Sequence, residues 1–260
     1  MKHFITTILL LFLFSASGIS QEGTPINRKD AQGNKTGLWK DYYKTGKLRY
    51  VGHFKNDIPI DTFYYYYPDG KLQTLMVHLK KDYAYAKMYY STGDIMAEGK
   101  YHKQQKDSVW NTYGAEGILV TKGGYVNGAK TGNWETYFPN GKVAERVQYR
   151  NDIEVDDYRS FYENGNLKEE TQFENGFKEG LTTFYDENGN KQLKGFYKKS
   201  MRNGKWIYYN TNGTVDKMVD YKDGKALNNP SKDLEIPEVV KSQRKETLEL
   251  EDLKGRIKYD

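Results

Sequence analysis

Pairs of neighbouring carboxylates are one group of residues in this chain that could take part in catalysis. Pairs such as Asp156-Asp157 and Glu169-Glu170 are the type of group that general acid–base hydrolysis requires. Charged residues of both signs nevertheless recur along the whole chain, and charges at strand edges keep sheets from aggregating. Solvated carboxylates are therefore the favoured interpretation, and no catalytic residue is predicted.

Four histidines are the next candidates, as bases or as metal ligands: His3, His53, His78 and His102. His78 occupies a position that holds tyrosine or phenylalanine in every other copy of a 24-residue repeat, which favours aromatic packing. The histidines and carboxylates match no zinc-binding spacing. We therefore expect the histidines to be structural.

A short acidic stretch, Asp186-Glu187-Asn188-Gly189-Asn190, resembles the start of a calcium loop. Its glycine is fourth instead of sixth, and Tyr197 stands where a bidentate glutamate is required. The stretch is therefore predicted to be a turn. The chain also lacks a nucleophile elbow and a phosphate loop, so we expect a protein without catalytic activity, metal or cofactor.

The spacing of the tryptophans shows that the chain is built from repeats, and these repeats must position the side chains named above. Trp39, Trp110, Trp134 and Trp206 are separated by 71, 24 and 72 residues, so they fall in one column of a 24-residue repeat. A glycine follows that column by seven residues in every copy: Gly46, Gly70, Gly93, Gly117, Gly141, Gly165, Gly189 and Gly213. Eight copies with one missing residue define a repeat protein.

Two aromatic columns accompany the glycines. The first stands four residues before each glycine: Tyr42, Tyr66, Tyr89, Tyr113, Tyr137, Phe161, Tyr185 and Tyr209. The second stands eight residues after it: Phe54, His78, Tyr101, Tyr125, Tyr149, Phe173, Tyr197 and Tyr221. The two columns therefore account for twelve of the 24 tyrosines.

Each copy is predicted to be a β-hairpin. Asn-Gly pairs such as Asn140-Gly141 tolerate positive φ and are a strong hairpin signal. Further pairs at Asn127-Gly128, Asn175-Gly176 and Asn203-Gly204 predict turns between copies. The fold class is all-β: an elongated antiparallel meander of eight consecutive hairpins over residues 34–227, with about sixteen strands of five to eight residues.

Stability of such an array must come from stacking, because an isolated hairpin is marginal in water. In the third copy Ala86 replaces the large aromatic of the tryptophan column, and in the seventh copy Thr182 does so, or Leu181 if a gap is placed before it. We predict that these copies are the weak points of the array.

The two ends of the chain differ from the repeats. Residues 1–20 have a basic start, the apolar run Phe4 to Phe14 and small residues before Gln21, which is the layout of a secretory signal peptide. Eleven apolar residues are too few for a bilayer span, so an uncleaved anchor is less favoured. Residues 21–33 are predicted to be a linker and residues 228–260 a charged C-terminal tail, either mobile or forming a short amphipathic helix.

Composition limits the classes of function. Without cysteine there are no disulfides and no thiolate metal site. The net charge of +5 comes from interleaved residues, 40 basic and 35 acidic, without the basic block that tracks phosphates. We therefore expect an exported protein, periplasmic, cell-surface or secreted, that does not bind nucleic acid and has no transmembrane span after cleavage.

In each copy, the first strand carries aromatic residues on both of its faces. This raises the question of whether one face binds a partner. Phe63, Tyr65 and Tyr67 are predicted to project from one face and Tyr64 and Tyr66 from the other, since side chains alternate. Either curvature and lysine stems cover the second row, or an aromatic groove binds a partner. The candidate partner-binding aromatics are Tyr43, Tyr65, Tyr67, Tyr90, Trp134, Phe138 and Tyr162.

The pattern resembles a known family. The stretches NGAKTGNWETYFPNGKV (127–143) and RNGKWIYY (202–209) are similar to the MORN-repeat variant family, which includes the YwqK-like proteins labelled antitoxins. The resemblance covers about residues 33–227. It implies hairpin arrays that act as interaction scaffolds, linked in other members to membranes, lipids and protein assembly.

We therefore expect a non-catalytic exported scaffold that binds a protein partner through aromatic sheet faces and strand edges. Two alternatives remain open: a module that binds envelope glycan or a membrane surface, and an antitoxin-like neutraliser of an exported toxin. An outer-membrane barrel is disfavoured by the frequent lysines and by the terminal Asp260.

Overall fold

The computed structural model describes residues 25–80 and 82–227. The predicted signal peptide, the first part of the predicted linker and the predicted C-terminal tail lie outside these residues. The described residues divide into two compact units: residues 25–80 and 82–119 with 125–128, and residues 120–124 with 129–227.

The first unit contains eight strands and a short 3₁₀ turn (Ala115–Gly117). Its strands are β1 (Arg28–Lys29), β2 (Lys35–Tyr42), β3 (Leu48–Lys55), β4 (Ile58–Tyr66), β5 (Leu72–His78), β6 (Tyr83–Tyr89), β7 (Ile95–His102) and β8 (Gln105–Tyr113). β9 (Leu119–Val126) supplies residues to both units.

The second unit continues the same succession. Its strands are β10 (Ala129–Tyr137), β11 (Val143–Arg150), β12 (Ile153–Phe161), β13 (Leu167–Glu174), β14 (Phe177–Tyr185), β15 (Lys191–Lys198), β16 (Met201–Tyr209), β17 (Val215–Lys222) and β18 (Lys225–Ala226).

Within each unit, every strand pairs antiparallel with the next strand along the chain. The predicted all-β meander of consecutive hairpins is therefore confirmed. The sixteen strands β2–β17 have seven to nine residues, slightly more than predicted. A two-residue strand, β1, lies in the stretch predicted to be a linker and pairs with the start of β2.

Two kinds of turn alternate. Inside a copy, the glycine of the template closes a tight loop: the Gly46 amide donates to the Tyr43 carbonyl at 2.8 Å, and Gly46 has a φ of +80°. At six junctions between copies, both turn residues have positive φ, as in Asn151-Asp152 at 51° and 65°. This is what a two-residue type I′ turn requires.

One predicted turn is wrong. Asn203 and Gly204 lie inside β16, and the turn between the copies falls at Lys199 and Ser200, whose φ angles are 48° and 62°. Lys199 is 24 residues after Asn175, so the repeat step locates the turn better than the Asn-Gly pair does. Gly204 instead has a φ of +70° at a strand irregularity.

That irregularity explains the missing residue. Positive φ recurs two residues before the tryptophan column at Gly37, Asp61, Ser108, Gly132, Asp156, Gly180 and Gly204. The register shifts where the copies meet at β3–β4, β7–β8 and β11–β12. β5 and β6 pair without a shift, so the third copy has lost its bulge residue, not a turn residue.

The core is a row of side chains in which large residues face small ones. From the second copy onward, each tryptophan-column residue lies across from a residue of the preceding copy. Glycine faces the largest rings: a Cβ on Gly52 would lie 2.4 Å from Phe63, and one on Gly123 would lie 2.1 Å from Trp134. The further pairs are Gly99 with Trp110, Gly195 with Trp206, Met76 with Ala86, Val147 with Tyr158 and Thr171 with Thr182.

Ala86 and Thr182 are both completely buried. Met76 is the large partner of Ala86, and the Thr182 hydroxyl hydrogen-bonds that of Thr171. The partners therefore compensate in part for the small column residues. The weakness of these copies stays a prediction.

Candidate interaction surface

A cation lies over the ring of each tryptophan. The Lys130 Nζ is 4.6 Å from the centre of the Trp134 ring and 4.9 Å from that of Tyr149. The cation comes four residues before the tryptophan in every case: Lys35, Lys106, Lys130 and Arg202. Cation–π attraction and the alkyl stems therefore cover this aromatic row.

Trp134 is consequently a core residue. It is only 7 % exposed, its Nε1 donates to the Gly124 carbonyl at 3.1 Å, and its ring fills the space above Gly123. The candidate role of Trp134 as a partner-binding surface residue does not fit this position.

Four further candidates form a tyrosine ladder on the turns. The hydroxyl of Tyr162 donates to the Tyr185 carbonyl of the next copy at 2.8 Å. Tyr43, Tyr67 and Tyr90 make the equivalent bond to the carbonyls of Tyr66, Tyr89 and Tyr113. These hydroxyls join neighbouring copies, so their first role is structural.

The last two candidates are partly buried. Phe138 occupies the ladder position without a hydroxyl. Tyr65 packs against Tyr50, with ring centres 5.9 Å apart, and against Phe63 at 6.1 Å. The structure therefore does not bring the seven candidates together into one exposed surface.

The opposite face of the sheet, here named the back face, carries the other aromatic column. In the second unit it is held by carboxylates and arginine. The Tyr137 hydroxyl donates to Glu135 at 2.5 Å, and the Arg146 guanidinium lies 5.6 Å from the Phe161 ring centre. In the second unit this row is thus covered, by other groups than the predicted lysine stems, whereas Tyr42 and Tyr64 of the first unit are 48 % and 38 % exposed.

The back face of β10–β12 forms a shallow polar groove of about 330 Å³. Asn133 pairs with Gln148, Glu135 with Arg146, and Arg146 with Arg159 in the register. Together with Asp157 these residues line the groove. We call this set, Asn133, Glu135, Arg146, Gln148, Asp157 and Arg159, the polar groove.

Some side chains of the polar groove are hydrogen-bonded to one another, and others are unpaired. Arg146 donates from its Nε to Glu135 at 2.9 Å, and the hydrogen bond from Tyr137, followed by that from Arg146, lowers the pKa of Glu135. Burial, then the bond to Glu135, raises the pKa of Tyr137 to about 12. Within the described part of the chain, the side chains of Asn133, Gln148 and Arg159 make no hydrogen bond. These three can bond to another molecule.

On the back face of β14–β17, several positions equivalent to those of the polar groove hold apolar residues. Leu181 lies across from Phe196, and Ile207 across from Met218. Leu181, Phe196 and Met218 are 42 %, 52 % and 52 % exposed. We call Leu181, Phe196, Ile207 and Met218 the apolar patch.

Over residues 25–80 and 82–227, no cluster of three or more histidine and carboxylate side chains could hold a metal ion. No helix among these residues is long and apolar enough to cross a membrane.

The fold and its repeating row define a repeat protein built from β-hairpins. Five stretches match the MORN repeat variant family: residues 35–56, 130–151, 157–175, 178–199 and 202–223. The predicted resemblance is confirmed for these five copies. They include every residue of the polar groove and of the apolar patch.

A search of the curated proteins gives no match. Among solved structures, a crystal structure of TcdB2-TccC3 is similar with a TM-score of 0.23 and 10 % identity, over 73 % of this chain and 13 % of that chain. A structure of the Photorhabdus luminescens Tc holotoxin pore gives 0.21 and 12 %, over 73 % and 11 %. This chain thus spans about an eighth of the length of those chains.

Proposed function

We propose that the protein is a non-catalytic, exported repeat scaffold that binds a protein partner through the polar groove. The observation that carries this proposal is the set of unpaired side chains of Asn133, Gln148 and Arg159 beside a fixed Glu135–Arg146 pair. Arginine is enriched among the residues that dominate binding energy at protein interfaces. Export through residues 1–20 would place the partner outside the cytoplasm, and an exported toxin is one such partner.

The pairing of Arg146 and Arg159 indicates the chemistry of that partner. Two like charges across neighbouring strands are unfavourable, and among the described residues a carboxylate, that of Glu135, pairs with Arg146 while none pairs with Arg159. A carboxylate of the partner would compensate Arg159 and accept a bidentate hydrogen bond from it. We therefore expect an acidic side chain of the partner to contact Arg159.

The test is a cross-linked pull-down from the native envelope, with the parent protein and with an Asn133→Ala, Arg159→Ala variant. Lys191→Ala with Gln192→Ala, at exposed positions of β15, is the matched control. The proposal expects one stoichiometric protein that the groove variant loses and the control keeps. Equal recovery with both variants would refute the assignment of the surface. The Tyr67→Ser, Phe138→Ser variant tests the aromatic alternative.

An envelope glycan is the second candidate ligand. Asn133, Gln148, Asp157 and Arg159 are planar polar side chains that can bond to sugar hydroxyls, whereas burial of Trp134 removes it as a stacking surface. Retention on purified envelope polysaccharide that the groove variant loses, with no protein captured, would favour this candidate over a protein partner.

A further inference from the structure

The apolar patch has no counterpart in the neighbouring hairpins of the second unit. At the positions of Leu181 and Ile207, β10 has Asn133 and Glu135, and β12 has Asp157 and Arg159. Contiguous exposed apolar patches are rare on soluble proteins and mark surfaces that something covers. The apolar residues occur in the two copies that precede the C-terminal tail.

The described chain ends beside this patch. The Leu227 amide donates to the Asp220 carbonyl at 2.7 Å, and β18 pairs with β17, the strand that carries Met218. Leu227 is itself 61 % exposed. The tail therefore begins one strand away from the patch.

The tail is long enough to reach every part of the patch. Strands β14–β17 span three intervals of about 4.8 Å, or about 14 Å. The thirteen residues from 228 to 240 can extend over about 40 Å. Chain length thus allows residues near position 236 to lie on any of the four strands.

The sequence of the tail suits the patch. The first apolar residues after Leu227 are Leu234, Ile236, Val239 and Val240, and two glutamates, Glu235 and Glu238, separate them. Lys194 lies within the patch, directly across from Ile207. Burial of several aliphatic side chains on this surface is favourable, and the glutamates complement the lysine.

We propose that residues 234–240 of the tail cover the apolar patch in the free protein. The tail then removes Phe196 and Met218 from water and prevents copies of the protein from associating through these residues. The proposal concerns the chain's own tail and holds whether or not a partner binds the polar groove, whose last residue, Arg159, lies 75 residues before residue 234.

Methionine oxidation by hydrogen peroxide tests the proposal, since it follows the exposure of the sulfur. Met218 reports on the patch, and Met201, 42 % exposed at the start of β16, is an internal reference. In the full-length protein we expect Met218 to oxidise more slowly than Met201. An Ile236→Glu, Val240→Glu variant should oxidise Met218 several-fold faster, with Met201 unchanged. Mass spectrometry of peptides measures both rates.

Leu248→Glu with Leu250→Glu in the same tail is the matched control and should keep the ratio of the parent. An unchanged Met218 rate in the Ile236, Val240 variant overturns the proposal. So does an equal acceleration in the control. Protection of Met218 that rises with protein concentration, with a doubled mass by light scattering, would assign the patch to a second copy instead. Partner capture through the groove is read separately and does not affect this result.

Discussion

The two faces of strands β10–β12 differ in how their side chains are engaged: those of the core face pack against one another, and several of the back face are unpaired among the described residues. On the core face, Trp134 lies over Gly123, under Lys130 and beside Tyr149, so each group completes the environment of the next. On the back face, Asn133 and Arg159 make no such contacts in the described chain. Adjacent residues on one strand therefore serve stability and recognition separately.

The largest expected effect separates the two faces at neighbouring positions. Trp134→Ala should cost about 3–5 kcal/mol of folding free energy, as large-to-small core changes do. Asn133 is exposed, so Asn133→Ala should change the folding free energy by no more than about 0.5 kcal/mol. Urea unfolding of both variants, followed by circular dichroism, gives the comparison, and similar losses would show that the faces are not divided in this way.

Gly123 provides the next test. An alanine Cβ there would lie 2.1 Å from the Trp134 ring, so Gly123→Ala should destabilise by about 1–3 kcal/mol through overpacking. The Gly123→Ala, Trp134→Ala double variant should lose less than the sum of the single variants, because the clash is gone. Strict additivity in urea unfolding would argue against this close contact.

The tyrosine ladder should contribute less. Tyr162→Phe removes one hydrogen bond to the Tyr185 carbonyl and should cost about 1 kcal/mol. Phe138→Tyr restores a hydroxyl at the equivalent position and should be neutral or slightly stabilising. Thermal unfolding of the two reciprocal variants measures the contribution of this hydrogen bond to stability. A Tyr162→Phe variant as stable as the parent would show that the tyrosine ladder does not stabilise the fold.

The smallest effect is expected for the covering cation. Lys130→Met keeps the alkyl stem and removes the charge above Trp134, for an expected cost of about 0.5–1 kcal/mol. Lys198→Met, at an exposed position of β15, is the control. Losses that do not differ between the two would mean that the stem, and not the charge, covers the ring.

The repeat step made the hairpins, their turns and the core column predictable, because each is set by residue types that recur every 24 positions. The same step contains a signal that the sequence analysis missed. Gly52, Gly99, Gly123 and Gly195 precede large rings by eleven residues, and Thr182 follows Thr171 by the same interval. Volume matching between the columns could have been derived from this spacing.

The site was less predictable for a physical reason. Aromatic candidates were chosen by type, yet Trp134 is buried and Tyr162 donates its hydroxyl to the next copy. The polar groove lies at positions between the template residues, such as Asn133 and Arg159, where the repeat does not determine the residue type. Only the strand register shows that Arg146 and Arg159 are neighbours, since they are 13 positions apart in the sequence.

The most direct test of the division between faces measures stability and partner capture on Trp134→Ala and Arg159→Ala together. We predict that Arg159→Ala keeps the unfolding midpoint of the parent and loses the cross-linked partner, while Trp134→Ala lowers the midpoint by several degrees or more. An Arg159→Ala variant that retains the partner in full, or that unfolds as early as Trp134→Ala, would contradict the account.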